Sequence, residues 1–215
     1  FSTPEFVWDQ ITPELLQAGY QVIAYDHLGL GFSDRPGGPY NAGLYRDELS
    51  SLISGLQLTT PLVLVGYSMG GANVVDYAAT HPDQVKQLIL IAPAGYMGPT
   101  AYASVLLAPG VGEWLFTVFG RYYAHSSIKA EVEAERAPEN MLALFDAQAG
   151  YKGYSAALLS TLRHYPMNDF GDRYRALGAT NIPVTAIWGT ADNIVPSTGA
   201  ALMGQASCTT ALIHI

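Results

Sequence analysis

Cysteine is almost absent from this 215-residue chain, where Cys208 stands alone. No internal disulfide can form, and a cysteine-based metal cluster is excluded. That usage fits the cytoplasm, the compartment expected on this ground. Basic residues are also few. Ten Lys and Arg face eighteen Asp and Glu, a net charge of −8. No cluster of Lys and Arg occurs, so nucleic acid and anionic membrane surfaces are not expected as partners. No apolar run reaches the ~18 to 20 residues of a membrane span. Repeats and low-complexity tracts are missing too. With 49% apolar and 13% charged residues, the chain is neither disordered nor fibrous. It is long enough to bury one sizeable core.

Short apolar runs alternate with amphipathic stretches. "YQVIAYD" (20–26), "PLVLVG" (61–66), "KQLILIA" (86–92), "PVTAIWG" (183–189) and "TALIHI" (210–215) each read as a buried strand bounded by turn residues. Thr12-Pro13-Glu14 looks like an N-cap, a first-turn proline and a first-turn acid, with Gly19 placed to end the helix. Between 41 and 56, Tyr45, Leu49, Leu52, Ile53 and Leu56 repeat at three and four and form one apolar face. Strands alternating with helices predict a mostly parallel sheet with helices on both faces. From about 96 to 165 the rhythm changes. This stretch lacks a clear strand pattern, carries "VGEWLFTVFGRYY" (111–123), and reads as a helical insertion.

Gly66-Tyr67-Ser68-Met69-Gly70 has the form G-x-S-x-G between the strand "LVLV" and the helix "ANVVDYAA". A serine hydroxyl is a weak nucleophile and must be presented unhindered to both substrate and base. A tight strand-to-helix turn presents it, at the expense of backbone strain at the serine. The flanking glycines and Gly71 clear side chains from the crossing of strand and helix. The Met69 N–H then points toward a developing oxyanion at the helix N-terminus.

With these residues in view, the chain resembles the α/β-hydrolase fold superfamily over nearly its whole length, as a serine esterase- or lipase-like member with a helical cap. "YDHLGLGFSDRP" (25–36) resembles the loop after the family's fourth strand, and "GYSMGG" (66–71) its nucleophile elbow. "IPVTAIWGTADNIVP" (182–196) resembles its seventh strand with the acid-bearing loop. "FSTPEFVWDQITPELLQAGYQVIAYD" (1–26) resembles the segment that follows the family's His-Gly oxyanion motif. The resemblance implies a core at 1–95 and 166–215 and a cap at 96–165. It implies Ser68 as nucleophile, Asp192 as the acid that orients a histidine, and the Met69 and Phe1 N–H groups as oxyanion hole. No metal or organic cofactor is implied.

The base is harder to place. His214 lies inside a strand pattern, and His27, His81, His125 and His164 are away from the family's position after the last strand. The resemblance therefore implies a histidine outside this chain, a central third strand and a C-terminal end missing from it, and little activity from these residues alone. The implied reaction is hydrolysis of a carboxylic ester or related acyl bond of a small apolar or aromatic substrate, with Trp114 and Phe119 of the cap as binding residues. Hydrolysis of a carbon–carbon bond and cofactor-free haloperoxidase or perhydrolase chemistry are the alternatives within the fold. A ligand receptor without turnover is the alternative from another class.

Overall fold

The computed structural model describes residues 3–97, 108, 110–134, 137–192, 194–206 and 210–214. They form two compact units, one of Asn41–Thr100 with Tyr165–Ile215, the other of Ser2–Tyr40 with Ala101–His164. Among the described residues the strands are β1 Leu62–Tyr67, β2 Val85–Ile91, β3 Val184–Trp188 and β4 Thr210–His214. The helices along the chain are α1 Thr12–Gln17, α2 Ala42–Gly55, α3 Met69–Thr80, α4 Val111–Leu115, α5 Arg121–Glu133, α6 Met141–Ala149, α7 Tyr154–His164, α8 Gly171–Gly178 and α9 Thr198–Ala206.

The first unit holds a parallel sheet in the order β1-β2-β3-β4. All four strands lie where apolar runs predict them, because only apolar side chains tolerate burial in a parallel sheet. Tyr67 stands opposite Ile91, Ile91 opposite Ile187, and Ile187 opposite Ile213. The C-terminal ends of the strands therefore lie level. Leu88, Leu90, Ala186 and Trp188 are buried with Ala72, Val75 and Tyr77 of α3, which packs on β1 and β2. Each large apolar side chain so buried contributes about 1.5 to 3 kcal/mol. On β1, Val63, Val65 and Tyr67 alternate with buried Leu64 and Gly66 and stay exposed.

The run "YQVIAYD" departs from its expectation. Residues 20–26 pair with no strand among the described residues, and Tyr20 and Ile23 are exposed. A strand exists only where a neighbour takes its N–H and C=O groups, and apolar composition alone supplies none. Two helix details also shift. The helix at Thr12 has Ile11 as its N-cap, and the Thr12 hydroxyl donates to the Trp8 carbonyl at the preceding 3-10 turn. In α2, Asn41 caps the helix by accepting the Leu44 N–H, and Tyr45, Leu49 and Ile53 are buried. Leu56 falls just past the helix end and is exposed, so it leaves the apolar face.

Polar contacts fix α3 in the first unit. Asp76 is fully buried, with Arg46 Nη1 of α2 at 3.1 Å from Oδ2 and Arg173 Nε of α8 at 2.8 Å from Oδ1. Tyr165 Oη donates to Asn73 Oδ1 at 2.6 Å and packs edge-on against Tyr45. Burial raises the Tyr165 phenol well above its ordinary value, so it serves as a neutral donor.

In the second unit α4 continues through a π-helical turn, Phe116–Gly120, into α5. Leu30, Phe116, Phe145, Tyr154, Leu158 and Leu159 form its core. The N-terminal segment belongs here for stated reasons. Asp26, buried, accepts the Glu5 and Phe32 N–H groups, and the Gly31 N–H donates to Gln148 Oε1 of α6. The Tyr40 N–H donates to Ser160 Oγ of α7, and the Arg35 guanidinium lies over the Tyr151 ring. The compact units thus group Ser2–Tyr40 with Ala101–His164.

Candidate active site

Ser68 stands between β1 and α3 with φ 52 and ψ −120. A non-glycine residue rarely occupies this left-handed region, and doing so costs about 1 to 3 kcal/mol. Several bonds hold it there. The Ser68 N–H donates to Ile91 O at 2.9 Å, and its carbonyl accepts from Gly71 at 3.0 Å and Ala94 at 2.9 Å. The glycines answer a steric demand. A Cβ on Gly66 would meet Gly70 O at 2.5 Å and Gly71 Cα at 2.6 Å; one on Gly71 would meet Pro93 Cβ at 2.7 Å. The Ser68 side chain makes no capping bond to α3. Met69 is the first residue of α3, so its N–H has no acceptor within the helix. That N–H and the helix dipole favour negative charge beside the serine.

Asp192 lies in the turn after β3. Its Oδ1 accepts the Ile194 and Val195 N–H groups at 2.8 and 2.9 Å, which leaves Oδ2 for another donor. Ser68 follows β1 and Asp192 follows β3 at the same edge of the sheet. Two strand spacings separate those strands, about 10 Å. Burial, and next the charge of Asp192, raise the phenol of Tyr67, the residue before Ser68.

The remaining expected residues are placed as follows. Phe1 lies outside the described residues. Trp114 and Phe119 meet edge to face with centroids 6.1 Å apart and are exposed. His81 stacks on Tyr77, His125 bonds Asp146, and His164 bonds Ser160. The backbone of His214 is in β4 opposite Trp188. Among the described residues no histidine bonds Ser68 or Asp192. Nor do three His, Cys, Asp or Glu side chains converge as metal ligands among them, and no helix there is long and apolar enough to cross a membrane. The sequence carried no signal for the pairing of Asp76 with Arg46 and Arg173, since it arises only from packing between distant elements.

A model of the alpha/beta hydrolase fold matches residues 6–214. Lipase 1 of Psychrobacter immobilis is 28% identical over 191 residues, 82% of this chain and 56% of the lipase. The 2-hydroxymuconate semialdehyde hydrolase of Pseudomonas sp. is 36% identical over 93 residues, 43% of this chain and 32% of that enzyme. The chain thus spans only about a third to just over half of the length of these curated relatives. Among solved structures, the bromoperoxidase from Bacillus anthracis superposes with a TM-score of 0.80 at 24% identity, over 99% of this chain and 80% of its own.

Proposed function

Because the chain belongs to the alpha/beta hydrolase family, we propose that it carries the nucleophile and the acid of a serine hydrolase acting on a carboxylic ester or related acyl bond. The observation that carries this reading is the Ser68 backbone, held at φ 52 where a strand turns into a helix. Strain maintained by so many bonds supports presentation of a reactive side chain.

In this mechanism Ser68 Oγ attacks the substrate carbonyl while a histidine takes its proton. Asp192 Oδ2 accepts the other ring N–H, fixing the tautomer and stabilising the imidazolium. The oxyanion receives the Met69 N–H and, from the family pattern, the Phe1 N–H; one such donor is worth about 2.7 to 4 kcal/mol. Collapse expels the alkoxide, which takes the histidine proton, and water then releases the acid by the same steps. No cofactor is required. Trp114 and Phe119 are the proposed contacts for a small apolar or aromatic acyl group. The lipase relative supports the ester reading. The semialdehyde hydrolase relative favours a second one, cleavage of a carbon–carbon bond by the same serine. The scarcity of cysteine supports a cytoplasmic setting.

The test uses the complete polypeptide that contains this chain, assayed on a chromogenic short-chain ester. Ser68→Ala is expected to lower kcat/KM by about 10³-fold or more. Turnover that survives Ser68→Ala would remove Ser68 from the mechanism. Specific ligand binding with no turnover by the unaltered protein would favour the receptor reading.

A further inference from the structure

A cleft of about 390 Å³ lies within the second unit, lined by Thr117, Val118, Arg121, Tyr122, His125 and Asp146. None of these residues belongs to the elbow or to the loop of Asp192. Thr117 and Val118 come from the π-helical turn, and Arg121, Tyr122 and His125 from the first two turns of α5. Asp146 comes from α6, packed alongside. A π turn is uncommon and often marks a functional position, because the extra residue re-aims the side chains that follow.

The polar groups of this cleft are arranged for one chemistry. His125 Nδ1 lies 2.9 Å from Asp146 Oδ1. A carboxylate only accepts, so Nδ1 carries the proton and Nε2 is the ring's remaining polar atom. Arg121 Nη2 stands 4.0 Å from the same oxygen, within ionic attraction but too far for a hydrogen bond. The guanidinium, 54% exposed, keeps its donors for a ligand. With His125 neutral, Arg121 and Asp146 cancel. With a proton on Nε2 as well, the set holds one positive charge in excess. Asp146 is the only titratable residue of α6, and the π turn has none. Its helical neighbours one turn away are Arg121, Tyr122 and Lys129, the last paired with Glu133. Val118 and the Tyr122 ring supply the apolar wall.

We propose that this cleft is a binding site for a monocarboxylate with an apolar body, taken up together with a proton on His125. The carboxylate pairs with the Arg121 guanidinium and the His125 Nε2–H, which brings the charge of the site to zero. The apolar body lies along Val118 and Tyr122. A charged donor pair of this kind suits a planar anion. The class includes acids released by ester hydrolysis, but the site stands on its own residues and does not require Ser68 to be catalytic.

The test is isothermal titration of the complete polypeptide with sodium hexanoate at about pH 7.5, where a free imidazole is mostly neutral, in two buffers of different ionisation heat. One site and net proton uptake are expected. Arg121→Gln is expected to weaken binding at least tenfold, and His125→Gln to abolish the proton uptake. Hexan-1-ol and hexylamine, which share the apolar body, are expected to bind at least tenfold more weakly than hexanoate. Ser68→Ala is expected to leave hexanoate binding unchanged, whatever it does to turnover. Circular dichroism checks that the variants keep the fold; both substituted residues are partly exposed. Equal affinity for hexanoate and hexan-1-ol, binding indifferent to Arg121→Gln, or binding lost in Ser68→Ala would each overturn the proposal.

Discussion

Replacing Asp76 by asparagine probes what holds the helix behind the nucleophile. The side chain is fully buried, and its two oxygens meet Arg46 at 3.1 Å and Arg173 at 2.8 Å. Asparagine keeps the volume but removes the charge, and it turns an amide donor toward one of the two guanidiniums. Breaking a buried ion pair by removing one partner costs about 3 to 5 kcal/mol. Here that figure is reduced, because the Arg46 and Arg173 side chains are 27% and 43% exposed and regain water. The expected loss is about 2 to 3 kcal/mol. For a chain of this length that is a Tm lower by about 4 to 12 °C. Thermal and urea unfolding followed by circular dichroism read it directly. Arg173→Gln should cost less, and in a double-mutant cycle with Asp76→Asn the two should be coupled by about 1 kcal/mol or more. A Tm for Asp76→Asn within about 1 °C of the parent would refute the view that this carboxylate anchors α3.

Gly66→Ala forces a Cβ to within 2.5 Å of the Gly70 carbonyl oxygen, which is backbone and cannot swing aside. A stability loss of about 1 to 3 kcal/mol and loss of Ser68-dependent turnover are expected; retained turnover would show that the elbow relaxes without it. In Gly31→Ala the new Cβ clashes with the Asp26 carboxylate, at a position with φ +47. The clamp on the Glu5 and Phe32 N–H groups should break and Tm should fall, and an unchanged melt would contradict that. Glu113 of α4 bonds Arg163 of α7, which holds its carboxyl at about 2 against an ordinary 4.5. The folded value is depressed, so this contribution is complete above 4.5 and is lost as pH falls through about 2. A side-chain NMR titration of Glu113 should show that low midpoint, and Arg163→Gln should bring it back toward 4.5. A midpoint near 4.5 in the unaltered protein would remove the pair.

The local features were legible from the residues themselves. β1 to β4 lie where apolar runs predict, because buried positions of a parallel strand favour apolar side chains. Tyr45, Leu49 and Ile53 face inward because helical spacing aligns them. The elbow was legible because Gly66 answers a clash with Gly70 and Gly71, four and five residues on and within the motif itself.

Tertiary structure alone decided the rest. "YQVIAYD" has the composition of a strand, yet pairing depends on a neighbour that composition does not name. Asp76 looks like any polar residue of a helix until α2 and α8 bring Arg46 and Arg173 against it. His125 and Asp146 are 21 residues apart on different helices, and Gly31 and Gln148 are 117 apart. Within a turn of helix or strand, sequence spacing sets spatial distance. Between elements only packing sets it, and charge pairs and hydrogen bonds depend on distances of a few ångströms.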